Sequence, residues 1–282
     1  MLTRILTGVI AFAVFLPFLI FSGTIAFPVA MALCAVISTY EMIRCVGLHK
    51  KHHITIPICL AAAALPMCMY LLTANDMFSV GLAVSLVLML YMLAITVFSH
   101  GKVDITQSST ALLVSLYIIA AFSCMVYLCH YCAPNLYLLV FIGAWVPDTF
   151  AYFTGRLFGR HKLIPDVSPK KTVEGAIGGA VFCVLAFIVF ALIYNQNITA
   201  ECTEKANSTL PLWLMAVAGL LSALVSMIGD LSMSVIKRHY GIKDYGKILP
   251  GHGGFLDRFD SVLAVAVILA VAFGIAEHAG VM

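Results

Sequence analysis

Nearly uncharged apolar runs of about 20 residues, the length that crosses a bilayer as a helix, dominate this chain. They fall at about 5–21, 25–43, 54–72, 78–98, 110–129, 136–154, 173–194, 212–235 and 261–276. Lipid offers the backbone no hydrogen-bond partners, and the runs lack the two-residue alternation of barrel strands, so each is expected to be a helix. The expected fold is all-α: a polytopic membrane protein of about nine transmembrane helices. Charged residues make up 10% of the chain, against about a quarter in soluble domains, which leaves no room for a large soluble domain. A net charge of +3 gives no case for nucleic acid as a partner. The first run passes through Ser22, Gly23 and Thr24 straight into the second, so we read it as a retained span rather than a cleaved signal.

Of the 16 Lys and Arg residues, all but Lys205 lie at the N-terminus or in the connections after the second, fourth, sixth and eighth runs. The positive-inside rule then predicts a cytoplasmic N-terminus. The chain divides into an N-terminal region of about five spans, 1–135, and a region 136–282 with two long cytoplasmic connections, 155–172 and 236–260. Function is expected in those connections. The cysteines lie mostly inside apolar runs as small hydrophobes, and Cys129 and Cys132 alone do not make a metal or redox site. Two glycosylation-type triplets, at Asn197 and Asn207, carry no functional weight.

Asp148 follows Pro147 inside one run, and Asp230 lies near the cytoplasmic end of another. Ionisable residues at such depths are functional candidates by default. Ser222, Ser226, Asp230 and Ser234 recur every four residues and share a helical face, which suggests a polar cavity, with helix packing as the alternative for the serines. Lys237 and Arg238 extend that face beyond the membrane. The stretch from Lys243 and Asp244 through His252, Gly253 and Gly254 to Asp257, Arg258 and Asp260 is dense in glycines and charges. Its amides can form an anion nest. Asp257 and Asp260, three residues apart, suit Mg²⁺, which shares hard oxygen ligands with substrate phosphates; capping of a helix start is the alternative. In the other long connection, Lys170 and Lys171 precede Thr172 and Glu174, placing cations at a helix start where phosphates bind. The parts point to metal-assisted phosphate chemistry at the membrane surface. No P-loop, Gly-x-Ser-x-Gly or His-Glu-x-x-His pattern occurs.

Two motifs resemble those of the phosphatidate cytidylyltransferases, also called CDP-diacylglycerol synthases. One runs Ser234-x-x-Lys237-Arg238, Lys243-Asp244, His252-Gly253-Gly254-x-x-Asp257-Arg258-x-Asp260. The other runs Asp148-Thr149-x-Ala151-Tyr152-x-x-Gly155-Arg156 and Ser168-Pro169-Lys170-Lys171-Thr172-x-Glu174-Gly175, with Val173 where a larger side chain is common. The resemblance covers about 136–276, while the first five spans match only as hydrophobic helices.

The resemblance implies transfer of CMP from CTP to phosphatidate with release of pyrophosphate, a requirement for Mg²⁺, a bacterial cytoplasmic (inner) membrane with the site on the cytoplasmic side, and a homodimer among membrane lipids. On it, Asp230, Asp257 and Asp260 are expected to hold metal, with Asp148 in support. Lys237, Arg238, Arg258, Lys170 and Lys171 are expected to hold phosphates, and His252, Gly253 and Gly254 to contact the triphosphate. Arg156, Ser168, Thr172, Glu174, Ser226, Ser234, Lys243 and Asp244 complete the expected substrate contacts. The rivals are a CTP-dependent polyprenol or phytol kinase and, from another class, an ion-coupled transporter using Asp148 and Asp230. A transport path does not call for the glycine-rich, cation-rich 236–260 connection.

Overall fold

The computed structural model describes residues 13, 15–99, 101–164, 168–201, 209–248, 251 and 253–281. Eight helices among them are long and apolar enough to cross a membrane. The first expected span lies largely outside the described residues, although residues 15–20 are helical. The all-α, polytopic architecture is as the apolar runs require. The chain packs as two compact units, Met1–His130 with Lys237–Phe259, and Tyr131–Ile236 with Asp260–Met282.

The first unit contains α1 (Ala26–Cys45), α2 (His52–Leu71), α3 (Ala74–Phe98) and α4 (Ile105–His130). α1, α2 and α4 pack on one another, and α3 lies against α2 and α4. Two-thirds of the apolar window of α1 is buried (67%) against 11% for α3, so α1 is central in this unit and α3 leaves most of its surface exposed. Phe27, Met31, Met42, Ile54, Ile58, Ile118 and Phe122 fill the space between the inner helices. Local chemistry sets the ends. Thr73 accepts the Asp76 amide at α3, and the Asp104 carboxylate accepts the amides of Thr106 and Gln107 at α4, answering helix-start N–H groups that lack intrahelical acceptors.

The second unit contains α5 (Leu138–Phe158), an antiparallel hairpin of β1 (Lys162–Ile164) and β2 (Ser168–Thr172), α6 (Val173–Glu201), and most of α7 (Leu212–His239) and α8 (Leu256–His278). The long connections are therefore shorter than the apolar runs suggest: α5 runs on to Phe158, α7 to His239, and α8 starts at Leu256. The helices run past their apolar stretches because the backbone hydrogen-bond ladder does not depend on side-chain polarity. Gly241, at a positive φ of 67°, stops α7 by letting the Ile242 amide turn back to the Lys237 carbonyl at 2.9 Å.

α5 and α6 approach unusually closely. A Cβ on Gly175 would lie 2.7 Å from the Ala151 carbonyl oxygen, and one on Gly179 would lie 2.6 Å from that of Pro147. This is the small-x-x-x-small packing by which membrane helices bring backbones together. Gly143 does the same for α5 against Ser222 of α7 and Val265 of α8.

Candidate active site

In the second unit, α5, β2, α6 and α7 enclose a cavity of about 410 Å³. Its wall includes Asp148, Arg156, Ser168, Lys170, Lys171, Thr172 and Asp230, seven of the expected site residues drawn from three separate parts of the sequence. The close α5–α6 contact makes this possible. At Gly175 and Gly179 no side chain of α6 holds the helices apart, and the α5 face carrying Asp148, Ala151, Tyr152 and Gly155 looks into the same space as Gly175, Ala176 and Gly179. Pro147 has no N–H to give to the carbonyl four residues earlier, which opens the α5 ladder next to Asp148.

Charge in the cavity is mixed. Lys171 Nζ meets Asp230 Oδ2 at 2.5 Å, both side chains about a quarter to a third exposed (25% and 30%). Asp148 feels Lys171 and Asp230 as its strongest charged neighbours. Arg156 Nη1 donates to the Tyr152 hydroxyl at 3.4 Å, and Lys170 is exposed. Two carboxylates and three cations around one open cavity suit a polyanionic ligand that brings a divalent cation with it.

The hairpin is fastened to α6 at its root. Thr172 Oγ1 accepts the Gly175 amide at 3.2 Å, as expected of an N-cap, and packs where a Cβ on Gly155 would sit. Glu174 accepts the backbone amides of Arg160 and His161 and the His161 ring Nδ1, the last at 2.7 Å. Val173 N donates to the His161 carbonyl at 3.0 Å. Glu174 thus ties down the segment entering β1, whereas Ser168, Lys170 and Lys171 of β2 form wall.

The glycine-rich motif belongs to the first unit up to Phe259. Asp257 is 9% exposed; its Oδ1 pairs with Lys237 Nζ at 2.7 Å, and its Oδ2 accepts the amides of Tyr245 and Gly254, both at 2.9 Å. Lys237 also lies over the Tyr245 ring, 5.3 Å from its centre. Gly253 has a φ of +87°, and the carboxylates of Asp244 and Asp257 close on the position its Cβ would take, at 3.1 and 3.2 Å. The turn is built around carboxylates of the protein itself. Lys243, Asp244, Arg238 and Arg258 are exposed, and His252 lies outside the described residues.

Ser226 and Ser234 do not line the cavity. Ser222 and Ser226 are fully buried with no hydrogen-bond partner for either hydroxyl among the described residues. Asp260 Oδ1 accepts the neighbouring Ser261 amide at 2.8 Å. No three His, Cys, Asp or Glu side chains among the described residues gather to cage a metal unaided. Asp148 and Asp230 are the two carboxylates in the cavity wall.

Sequence reasoning passed over Glu41. On α1 and 1% exposed, it accepts the amides of Phe255 at 3.0 Å and Leu256 at 2.8 Å. The signal was present: Glu41 is the single charged residue in the run 25–43.

A family model described as "Cytidylyltransferase family" matches residues 2–276. The chain is 34% identical over 272 residues to "Phosphatidate cytidylyltransferase" of Staphylococcus haemolyticus, covering 96% of this chain and 98% of the relative. It is 33% identical over 276 residues to the protein of that name in Staphylococcus aureus, strain COL, with the same coverage.

Proposed function

Because the chain belongs to the cytidylyltransferase family, we propose that it makes CDP-diacylglycerol from CTP and phosphatidate. A phosphatidate oxygen attacks the α-phosphorus of CTP; the new P–O bond forms as the bond from that phosphorus to the α,β-bridging oxygen breaks, and the electron pair leaves with pyrophosphate. The observation that carries this reading for the site is the cavity in which Asp148, Asp230, Arg156, Lys170 and Lys171 meet.

Both reactants are polyanions, so the protein's main task is to offset their repulsion and align them. Arg156, Lys170 and Lys171 serve as phosphate ligands, with Ser168 as a neutral donor. Thr172 and Glu174 hold the hairpin that presents them. From the family resemblance we assign further phosphate contacts to Lys237, Arg238, Arg258 and Lys243, while Asp244, Gly253 and Gly254 belong to the turn that carries Asp257. No protein nucleophile is required, since the lipid phosphate provides one. The hard-oxygen pair Asp148 and Asp230 fits Mg²⁺ bound together with substrate phosphates. Asp257 fits less well than Asp230, because its oxygens already accept three protein hydrogen bonds. Bound there, Mg²⁺ would draw electron density from the phosphoryl oxygens.

A multi-pass membrane protein whose substrate keeps its acyl chains in lipid needs its polar chemistry at headgroup depth. The same reading places the site on the cytoplasmic face of a bacterial membrane and the protein in a homodimer. The test uses purified protein with phosphatidate, Mg²⁺ and CTP labelled with ³²P at one position. Label at the α-position should enter lipid, and label at the γ-position should appear only in pyrophosphate. A lipid kinase gives the reverse, and lipid labelled from the γ-position would sink the synthase reading.

A further inference from the structure

The buried carboxylate of Glu41 lies on α1, in the part of the chain whose role the motifs leave open. Its two oxygens take the amides of Phe255 and Leu256, while Asp257 Oδ2 takes the amide of Gly254. Three consecutive backbone N–H groups, 254 to 256, therefore end on two carboxylates. The fit is tight: a Cβ on Gly254 would lie 2.7 Å from Glu41 Oε2 and 2.5 Å from the Gly246 nitrogen, and a Cβ on Gly246 would collide with Glu41 Oε1. These two glycines give the carboxylate its place.

α8 begins at Leu256, so Glu41 is a cap supplied from 215 residues earlier in the chain. An anion at a helix start is favoured by the unsatisfied N–H groups and by the helix dipole. The next residue along is Asp257, held to Lys237 at 2.7 Å. A turn fixed at 255 and 256 fixes the direction in which the Asp257 side chain leaves the backbone.

We propose that Glu41 is a positioning residue for the glycine-rich motif: it locks the Gly254 to Leu256 amides and so holds Asp257 on Lys237 in the geometry that transfer requires. The activity arm of this role rests on the reaction proposed above; the structural arm does not. It gives the N-terminal helices a task in the chemistry, as the frame from which the motif is held.

The experiment compares full-length wild type with Glu41→Gln and Glu41→Asp by hydrogen–deuterium exchange and by α-³²P transfer kinetics. Gln keeps the size but replaces one acceptor by an NH₂ donor facing an amide donor. Exchange at 254–257 should accelerate about 10- to 100-fold in Glu41→Gln, the equivalent of losing a charge-assisted hydrogen bond. The kcat should fall by a similar factor while KM for CTP stays within about twofold. Glu41→Asp, which keeps the carboxylate, should recover part of both. Unchanged exchange at 254–257, exchange raised equally throughout the α1–α4 helices, or wild-type kcat despite local loosening would each overturn the proposal. So would Glu41→Asp behaving no better than Glu41→Gln. If wild type transfers no label, the proposed reaction falls and the exchange comparison alone decides whether Glu41 locks the turn.

Discussion

Lys171 Nζ and Asp230 Oδ2 stand 2.5 Å apart in the wall of the cavity, joining the end of the hairpin to α7. The pair is partly open to solvent, and such pairs add little to stability, about 0–1 kcal/mol. Its value lies in what the two charges do when a polyanion arrives.

Asp230→Asn should therefore reduce kcat by about 10²- to 10³-fold, the scale of losing one preorganised electrostatic contact, with a melting temperature within a few degrees of wild type. Transfer assays across a Mg²⁺ titration, paired with thermal melts in detergent, check both halves. Near-native turnover at low Mg²⁺ would remove Asp230 from the metal assignment.

The pair of Lys237 and Asp257 should behave oppositely, because both side chains are nearly buried (12% and 4% exposed). Asp257→Asn leaves a buried ammonium without its counter-charge, a change that costs about 3–5 kcal/mol and should lower the melting temperature by about 5–10 °C. Lys237→Met combined with Asp257→Leu should regain most of the stability and none of the activity. A single variant as stable as wild type would contradict the burial of this pair.

Glu174→Ala should release the entry to β1 without disturbing the helices. The expected result is a KM for CTP raised about tenfold, a kcat changed less, and faster proteolysis within 159–172. His161→Ala should do the same more weakly, since the Arg160 and His161 amides keep their acceptor. Equal KM values for wild type and Glu174→Ala would end this account of the hairpin.

Gly179→Leu should be poorly tolerated, as its side chain would have to displace the Pro147 carbonyl 2.6 Å from its Cβ. Overpacking of this kind costs about 1–3 kcal/mol, and here it would also part the two helices that form the cavity. Loss of CTP-dependent thermal stabilisation together with a lowered melting temperature is the expected signature; Gly81→Leu, where nothing lies within 4 Å of the added Cβ, is the control.

A cysteine at 205 should react with an impermeant thiol reagent from outside intact cells, and one at 162 only after permeabilisation, in a background lacking the native cysteines. This follows from the confinement of every Lys and Arg but Lys205 to the N-terminus and one set of connections. Labelling of both from one side would refute the orientation.

Much of the cavity was legible in the sequence because charge inside an apolar run is costly and conspicuous: Asp148, Asp230 and the Lys170–Lys171 pair stand out against their surroundings. For the serine stripe, geometry favours the packing alternative at Ser222 and Ser226. Four residues turn a helix by about 400°, so each repeat drifts about 40°, and Ser222 and Ser226 face into helix packing while Asp230 reaches the cavity. Expecting an anion nest in the glycine-rich turn identified the right chemistry but not the anions, since Gly254, Phe255 and Leu256 give their amides to Asp257 and Glu41. Backbone donors leave no mark on a sequence, and a partner 214 residues away has no periodicity to reveal it.

That separation also sets a schedule for biosynthesis. At about 5–20 residues per second, translation takes about 10–40 s to pass from Glu41 to Phe255. Throughout that interval the first four described helices can already be inserted while a carboxylate buried near the end of α1 waits for its donors, so the nascent bundle must carry Glu41 protonated, hydrated or shielded by the insertion machinery. Completion of the N-terminal bundle is thus among the last events of synthesis, and chains stalled or truncated before residue 255 should be the ones that cellular proteolysis removes.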